Sequence, residues 1–599
     1  MTEATVIRAD RQISTVSQIQ YQVAMPQPAT HLFEVTLHLT GWKLPVLDLK
    51  LPVWTPGSYL VREYAKHVQN FAASTQDQPL AWRKLSKNHW QVEAEDADAI
   101  AIRYQVYANE LSVRTNHLDA THGYFNGAAL FLRIPEWEQH AIVVTIVPPN
   151  PEWHVTTFLP TFEQPNTFVA ADYDTLVDSP FEIGTQEIHH FDVLGKSHEL
   201  AIWGQGNVDP AKMIPDIQKI VEAEAEMFGG LPYDRYVFLL HLSSQGNGGL
   251  EHKYGCSLNY PRLGFRAPDK YDRFMQLVAH EFFHLWNVKR IRPKALEVFD
   301  YDRENYTPSL WFCEGTTSYY DIVIPLRAKI YDAKSFLSNL SKDITRLQTT
   351  PGRRVQPLSE SSWDAWIKLY RPDANSGNSQ ISYYLKGELV SLLLDLLIRE
   401  RHQNAKSLDD VMRLMWQQFG QHEIGFTPEQ LQNAIASVAQ TNLDDFFDKY
   451  IDGTEELAFN HYLEPFGLQV VAQVEDATPH LGIRVQNENG RDMIKFVEID
   501  TPAATSGIAA GDELLAIDGI KVQASSLSDR LKDYQPNDTI QVTVFHQDEL
   551  CTHSVTLTSP HPSQYQIVPI DDPGDTQQQN FAGWVGVPLS SLSSAGVGN

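Results

Sequence analysis

His280-Glu281-Phe282-Phe283-His284 sets two histidines four residues apart in a segment, Tyr271 to Val288, whose apolar residues predict a helix. Four residues is about one helical turn, so both imidazoles leave the same face. Two imidazoles on one face can hold a zinc ion, and the carboxylate beside the first can act as general base for a water that the ion activates. Histidines on amphipathic helices are often merely packed. Here Phe274, Leu277, Val278, Phe282, Leu285 and Trp286 make the helix apolar around most of its circumference, which predicts burial. A buried polar group without a partner is costly, and a metal supplies one. The stretch marks a candidate metallopeptidase.

A two-histidine site needs a third protein ligand and an open position. The run Leu310-Trp311-Phe312-Cys313-Glu314-Gly315-Thr316-Thr317-Ser318-Tyr319-Tyr320-Asp321 predicts a second helix, with Glu314 thirty residues after His284. That interval, with Pro293 and Pro308, allows a loop and an antiparallel return. Glu314 is the candidate ligand, and its apolar flank argues against a solvated glutamate at a helix start. Cys313 is the competing donor, but neighbours on a helix point about 100° apart, so only one of the two can face a metal. Thr317, one turn on, could brace Glu314.

These segments resemble the gluzincin peptidases, whose H-E-x-x-H motif is followed by a distant glutamate in a W-x-x-E-G-x-T context. Within them the chain is similar to the glycyl aminopeptidase family, peptidase family M61, which carries a C-terminal PDZ domain. The resemblance covers roughly residues 20 to 560. It implies one zinc ion per chain, held by His280, His284 and Glu314, with Glu281 as general base. It also implies an aminopeptidase that removes small N-terminal residues, chiefly glycine and alanine.

Two further motifs extend the resemblance. Gly248-Gly249-Leu250-Glu251-His252 follows the apolar run Tyr236 to Leu242, which predicts a strand. It resembles the G-x-M-E-N segment of related alanyl aminopeptidases, an edge strand lying along the substrate, in which the glutamate binds the free α-amino group. That implies a substrate-binding role for Gly248, Gly249 and Glu251. The chemistry is sound by itself, because a carboxylate anchors a cationic amine by a charge-assisted bond and glycines let a backbone approach closely. Leu250 and His252 depart from that related pattern. Tyr383-Tyr384-Leu385-Lys386-Gly387-Glu388 resembles the Y-x-K-G segment, whose tyrosine donates to the developing oxyanion. The match places that role on Tyr384, at the start of a helix running to about Arg401.

The expected architecture is multidomain α+β. Residues 1–205 form an N-terminal β-rich, sandwich-like domain, since Phe33 to Leu39 alternates with period two and Ala141 to Val147 is nearly all apolar. Pro56-Gly57 and Asn126-Gly127 read as turns, and Trp54 to Tyr59 with Arg62 as structural or rim positions without chemistry. Residues 206–330 form a thermolysin-like zinc core, beginning with a helix from Asp209-Pro210 to Gly229-Gly230. Residues 331–462 form the helical part of the catalytic domain. Residues 463–560 form a PDZ domain, because Thr501-Pro502-Ala503-Ala504 followed by Gly507 to Gly519 resembles the bacterial PDZ pattern. Leu481-Gly482-Ile483 is its candidate carboxylate-binding loop for a peptide ligand. Residues 561–599 have no Lys or Arg and many Ser, Pro and Gln, a composition that predicts partial disorder.

Composition limits the alternatives. The net charge of −28, from 47 basic and 75 acidic residues, argues against nucleic acid or an anionic membrane as partner. Peptides with a free N-terminus are the expected substrates. Cys256, Cys313 and Cys551 are too few and too far apart for a disulfide framework. Met1 to Ala24 holds Glu3, Arg8, Asp10 and Arg11 and no apolar core of signal-peptide length, so the cytoplasm is the expected compartment. Two other functions stay open at this point: a gluzincin endopeptidase, and a non-catalytic protein that binds peptides through its PDZ domain.

Overall fold

The computed structural model of the protein describes residues 18–76, 78–95, 97–244, 246–474 and 478–592. Glu3, Arg8, Asp10 and Arg11 lie outside them. The chain divides into two compact units. The first comprises residues up to Gln218, Gly230–Leu285 and Phe299–Asn305. The second comprises Lys219–Gly229, Trp286–Val298 and the chain from Tyr306 onward.

The first unit opens with a seven-stranded sheet in the order Thr167–Ala170, Ile142–Val147, Ile19–Ala24, Leu32–Thr40, Ala99–Tyr107, Val68–Thr75, Gln78–Pro79. Its two sequence patterns have different causes. Leu32–Thr40 buries Phe33, Val35, Leu37 and Leu39 and exposes the alternate side, as a one-sided strand does. Ile142–Val147 runs parallel to Ile19–Ala24 and pairs with Thr167–Ala170 on its other edge, with Ile142, Val143, Val144 and Ile146 all buried. Smaller sheets of three and four strands complete this β-rich region around one continuous apolar core.

A second sheet of the same unit carries the Gly248–His252 motif. Its order is Glu187–Val193, Lys196–Trp203, Arg235–Ser243, Gly255–Pro261, Gly248–His252. The first two strands fall inside the expected N-terminal domain of residues 1–205, but they belong here. Lys196–Trp203 hydrogen-bonds in parallel to Arg235–Ser243, from Ser197 opposite Arg235 to Trp203 opposite His241. The helix Pro210–Phe228 makes that crossover, with the Asp209 carboxylate accepting from Ala211 N–H and Gly229 at φ +82° just past its end.

A buried acid holds the two regions of this unit together. His122 Nδ1 and His241 Nε2 lie 2.9 and 2.8 Å from the two oxygens of Glu182, and all three side chains are buried. Burial raises the carboxyl's pKa, but the two imidazoles outweigh it and hold Glu182 at about 2. A depressed carboxylate adds stability above its unfolded value, ordinarily 4.5, and loses it as pH falls toward 2. Glu182→Gln is therefore expected to cost about 3 kcal/mol at neutral pH. The gap from the parent should narrow as pH drops below about 4.5. Urea denaturation at several pH values reads this, and an unchanged midpoint at pH 7 would sink it.

The second unit is mostly helical up to Phe466. Beyond it, Ile483–Glu488, Arg491–Val497, Glu513–Ile517, Thr539–His546 and Glu549–Thr556 form an antiparallel sheet in chain order, with Ile520–Lys521 paired to Glu513–Ile517. Asp518 (φ +51°) and Gly519 (φ +74°) make the tight turn that their sequence predicts. Leu468–Gln473 is not part of that sheet, although it falls inside the expected PDZ boundary. It pairs with Gln564–Pro569 in a ribbon of its own. Ile567 N–H and Tyr565 N–H then donate to Ser341 and Thr345 of the helix Ala333–Gln348. The C-terminal segment, whose composition predicts partial disorder, thus supplies this strand and the helix Asp575–Val585. Trp584 of that helix is buried against Phe336 and Phe466. Residues 593–599 lie outside the described ones. Among the described residues no helix is long and apolar enough to cross a membrane.

Candidate active site

The H-E-x-x-H helix runs Pro268–Phe283 rather than over 271–288. Pro268 stands at its first turn, where a missing N–H costs nothing. His284 is the C-terminal cap, still in helical conformation (φ −59°, ψ −18°), so the two imidazoles keep a common face with ring centroids 4.7 Å apart. The apolar pattern overran the helix because Leu285, Trp286 and Val288 are buried in the turn that follows.

Gly248–His252 is the edge strand of its sheet, paired among the described residues only with Gly255–Pro261. Its glycines have separate uses. Gly248 has φ +141°, which disfavours any side chain. Gly249 lies flat against the general-base candidate, since an added Cβ would meet Glu281 Oε1 at 2.3 Å. Glu251 follows, only 4 % exposed. Carboxylate oxygens of Glu251 and Glu281 and a ring nitrogen of His284 fall within 4.8 Å of one another. Glu251 Oε1 and Glu281 Oε2 are buried, with no hydrogen-bond partner among the described residues. Burial pushes the Glu281 carboxyl up to about 7. His280 and His284 pull against that rise, Glu251 adds to it and Arg114 opposes it. Two buried carboxylate oxygens without a hydrogen-bond partner among the described residues, beside the imidazoles of His280 and His284, fit a cation.

Two contributors were missed by the sequence reading. Arg114 donates from Nη2 to Gly249 O at 2.9 Å, occupying a carbonyl of the edge strand from outside the motif. Gly57, read as a structural turn, presses its main chain on Glu251. A Cβ there would meet Oε1 at 2.5 Å and Leu250 Cδ1 at 2.7 Å, and φ is +85°. The Trp-Thr-Pro-Gly run was a visible signal, but its target lies almost two hundred residues away.

In the second unit Glu314 is buried on Trp311–Gly315, a π-helical turn leading into the helix Thr316–Arg327. A π turn inserts a residue and leaves carbonyls without their usual partners, a frequent device at functional sites. Asn287 Nδ2 donates to Phe312 O at 2.9 Å and to Cys313 O at 3.3 Å, and Thr317 Oγ1 donates to Cys313 O at 2.7 Å. Thr317 thus braces the turn that carries Glu314. The turn crosses the helix Tyr383–Arg401 where two glycines meet. A Cβ on Gly315 would lie 2.5 Å from Gly387 Cα, and one on Gly387 would lie 2.7 Å from Trp311 O. That is why both motifs carry glycine there. The crossing brings Glu314 to Tyr384, whose phenol is held well above its usual range by burial, by the Glu314 carboxylate and by Tyr370. Tyr384 therefore stays protonated and can donate. Tyr383 is 0 % exposed and packs inward, whereas Tyr384 is half-buried.

In the antiparallel C-terminal sheet, Ile483 opens the edge strand Ile483–Glu488. Gly482 before it has φ +90°, and a Cβ there would meet Thr501 Oγ1 at 2.2 Å. Leu481 O and Gly482 O accept from Ala503 N–H and Glu498 N–H, which shapes the loop expected to take a peptide carboxylate.

The sequence was compared with known families and structures. The family model "Peptidase M61 N-terminal domain" matches residues 20–185, "M61 glycyl aminopeptidase" matches 273–390, and "PDZ domain" matches 479–557. A search of curated proteins finds no match. The crystal structure of an aminopeptidase N family protein from Idiomarina loihiensis is 32% identical, with a TM-score of 0.89 over 95% of this chain and 100% of that one. An M1 zinc metallopeptidase from Deinococcus radiodurans is 12% identical, with a TM-score of 0.45 over 71% of this chain and 90% of that one. On the matched domains and the full-length likeness, the chain belongs to the M61 glycyl aminopeptidase family, a metallo-aminopeptidase with a C-terminal PDZ domain.

Proposed function

We propose that the protein is a zinc aminopeptidase that removes glycine and alanine from peptide N-termini. Its ligand set is His280, His284 and Glu314, taken from the motif and the family. Zinc bound by these residues would supply Lewis acidity at the scissile carbonyl and acidify a water. Glu281 accepts the proton of the attacking water and returns it to the leaving amine. Tyr384 donates its phenol proton in a hydrogen bond to the developing oxyanion. Glu251 accepts from the substrate's α-ammonium group, so one residue fits before the cleaved bond.

The observation that carries the reading is Glu251: buried, with Oε1 unpartnered among the described residues, on an edge strand within ligand reach of Glu281 and His284. An endopeptidase has no need of a buried anion there. The preference for small residues is supported by Gly57, whose main chain closes on the same carboxylate and narrows the space beside the amine. The PDZ loop Leu481-Gly482-Ile483 is proposed to hold a peptide ligand along the open edge of Ile483–Glu488.

The test is hydrolysis of an alanyl dipeptide amide by zinc-loaded protein, with the N-terminus free and then acetylated. Cleavage of the free form alone is expected. Equal cleavage of both would move the assignment to an endopeptidase, and cleavage of neither would favour a peptide-binding protein. Glu251→Gln keeps the shape and removes the charge. A charge-assisted bond contributes about 1.5–3 kcal/mol, so kcat/KM should fall about 10- to 100-fold, mostly through KM. An unchanged KM would remove Glu251 from the amine site.

A further inference from the structure

His480, Glu498 and His561 meet where the chain runs into and out of the PDZ domain. They come from three separate segments. His480 immediately precedes the Leu481-Gly482-Ile483 loop, Glu498 follows the strand Arg491–Val497, and His561 lies between Glu549–Thr556 and Gln564–Pro569. The backbone holds these segments together. His480 N–H donates to Thr558 O at 3.0 Å, Thr558 N–H donates to His480 O at 3.2 Å, and Glu498 N–H donates to Gly482 O at 2.9 Å.

The side chains converge on one spot. One ligand atom from each of the three lies within 4.8 Å of the other two. The imidazoles of His480 and His561 stack with centroids 4.0 Å apart and planes 23° apart. His480 Nε2 is buried, makes no hydrogen bond among the described residues, and stands 3.5 Å from Glu498 Oε2. That separation is beyond a good N–H···O bond. Two neutral imidazoles and a carboxylate are the donor set of a three-ligand zinc-class site with an open position.

We propose that His480, Glu498 and His561 form a second divalent transition-metal site, separate from the H-E-x-x-H residues, that ties the beginning of the PDZ domain to its end. Ligands at about 2.0–2.1 Å from a tetrahedral ion stand about 3.3 Å apart, so the cluster contracts when the ion binds. His561 is exposed, and turning its ring out of the stack supplies that movement. Glu498 neutralises part of the ion's charge. Arg484, which faces Glu498 and lies over the Phe496 ring, works against binding. With three ligands and a nearby cation, the site binds more weakly than a closed four-ligand site.

The site is tested by zinc uptake of the full-length, metal-stripped protein, measured by calorimetric titration and elemental analysis, for the parent, His561→Ala and Glu498→Gln. Each variant is expected to take up about one equivalent less than the parent, with alanyl dipeptide amide hydrolysis unchanged in His561→Ala. Cobalt(II) gives an independent readout: the visible absorption that its second equivalent adds in the parent is absent from His561→Ala. Because the comparison is by difference, it stands whether or not the first equivalent sits at His280 and His284. His561 is exposed, so its replacement leaves the fold intact, which circular dichroism checks. Equal uptake by all three proteins would overturn the proposal and leave the stacked pair as packing.

Discussion

Glu281→Gln is expected to lower kcat by a factor on the order of 10²–10⁴, the usual range for losing a positioned general base, while zinc content and melting temperature stay close to those of the parent. The substitution is nearly isosteric. The amide fills the same space against Gly249, where an added Cβ would be 2.3 Å from Glu281 Oε1, so the edge strand keeps its place. What the amide cannot do is take a proton. Glu281 is buried, with Oε2 unpartnered among the described residues, and that oxygen is the one free to act as base. KM should change little, because the proton moves only on the way to the transition state. Steady-state kinetics with metal analysis on the same samples makes the measurement. A kcat within tenfold of the parent, at full zinc occupancy, would mean another group takes the proton.

The second large effect separates two adjacent tyrosines. Tyr384→Phe should cost about 10²–10³ in kcat, as removal of one oxyanion donor does elsewhere, with kcat and kcat/KM falling together. Tyr383→Phe should leave kcat near that of the parent. The two rings stack at 4.7 Å and both phenols lie near Tyr370 Oη, at 3.3 Å for Tyr383 and 3.1 Å for Tyr384. Sequence spacing alone therefore separates them poorly. Burial separates them: Tyr383 is wholly enclosed, while Tyr384 is half-buried and lies beside Glu314. A larger kcat loss in Tyr383→Phe than in Tyr384→Phe would reverse the assignment.

Local pattern carried much of this protein into view. Period-two alternation identified Leu32–Thr40, the Asp-Pro and Gly-Gly signals bracketed Pro210–Phe228, and the four-residue spacing of His280 and His284 placed both rings on one face. Such features depend on residues within a turn or two of each other, so the chain encodes them directly. The fold class and the family followed from the same short motifs.

Other features depend on contacts between distant residues, and no local pattern reports those. The strands Glu187–Val193 and Lys196–Trp203 read like the β-rich region before them, and only the register against Arg235–Ser243 assigns them to the motif sheet. Gly57 and Arg114 gain their meaning from Glu251 and Gly249, which lie more than a hundred residues away. Gly315 and Gly387 stand in two separate motifs, and only the tertiary structure brings their backbones into contact. His480 and His561 are eighty-one residues apart and share no motif, yet an antiparallel bridge at Thr558 sets their rings face to face. Short-range sequence determined which chemistry this protein carries, whereas chain crossings, which depend on packing rather than periodicity, decided which residues surround it.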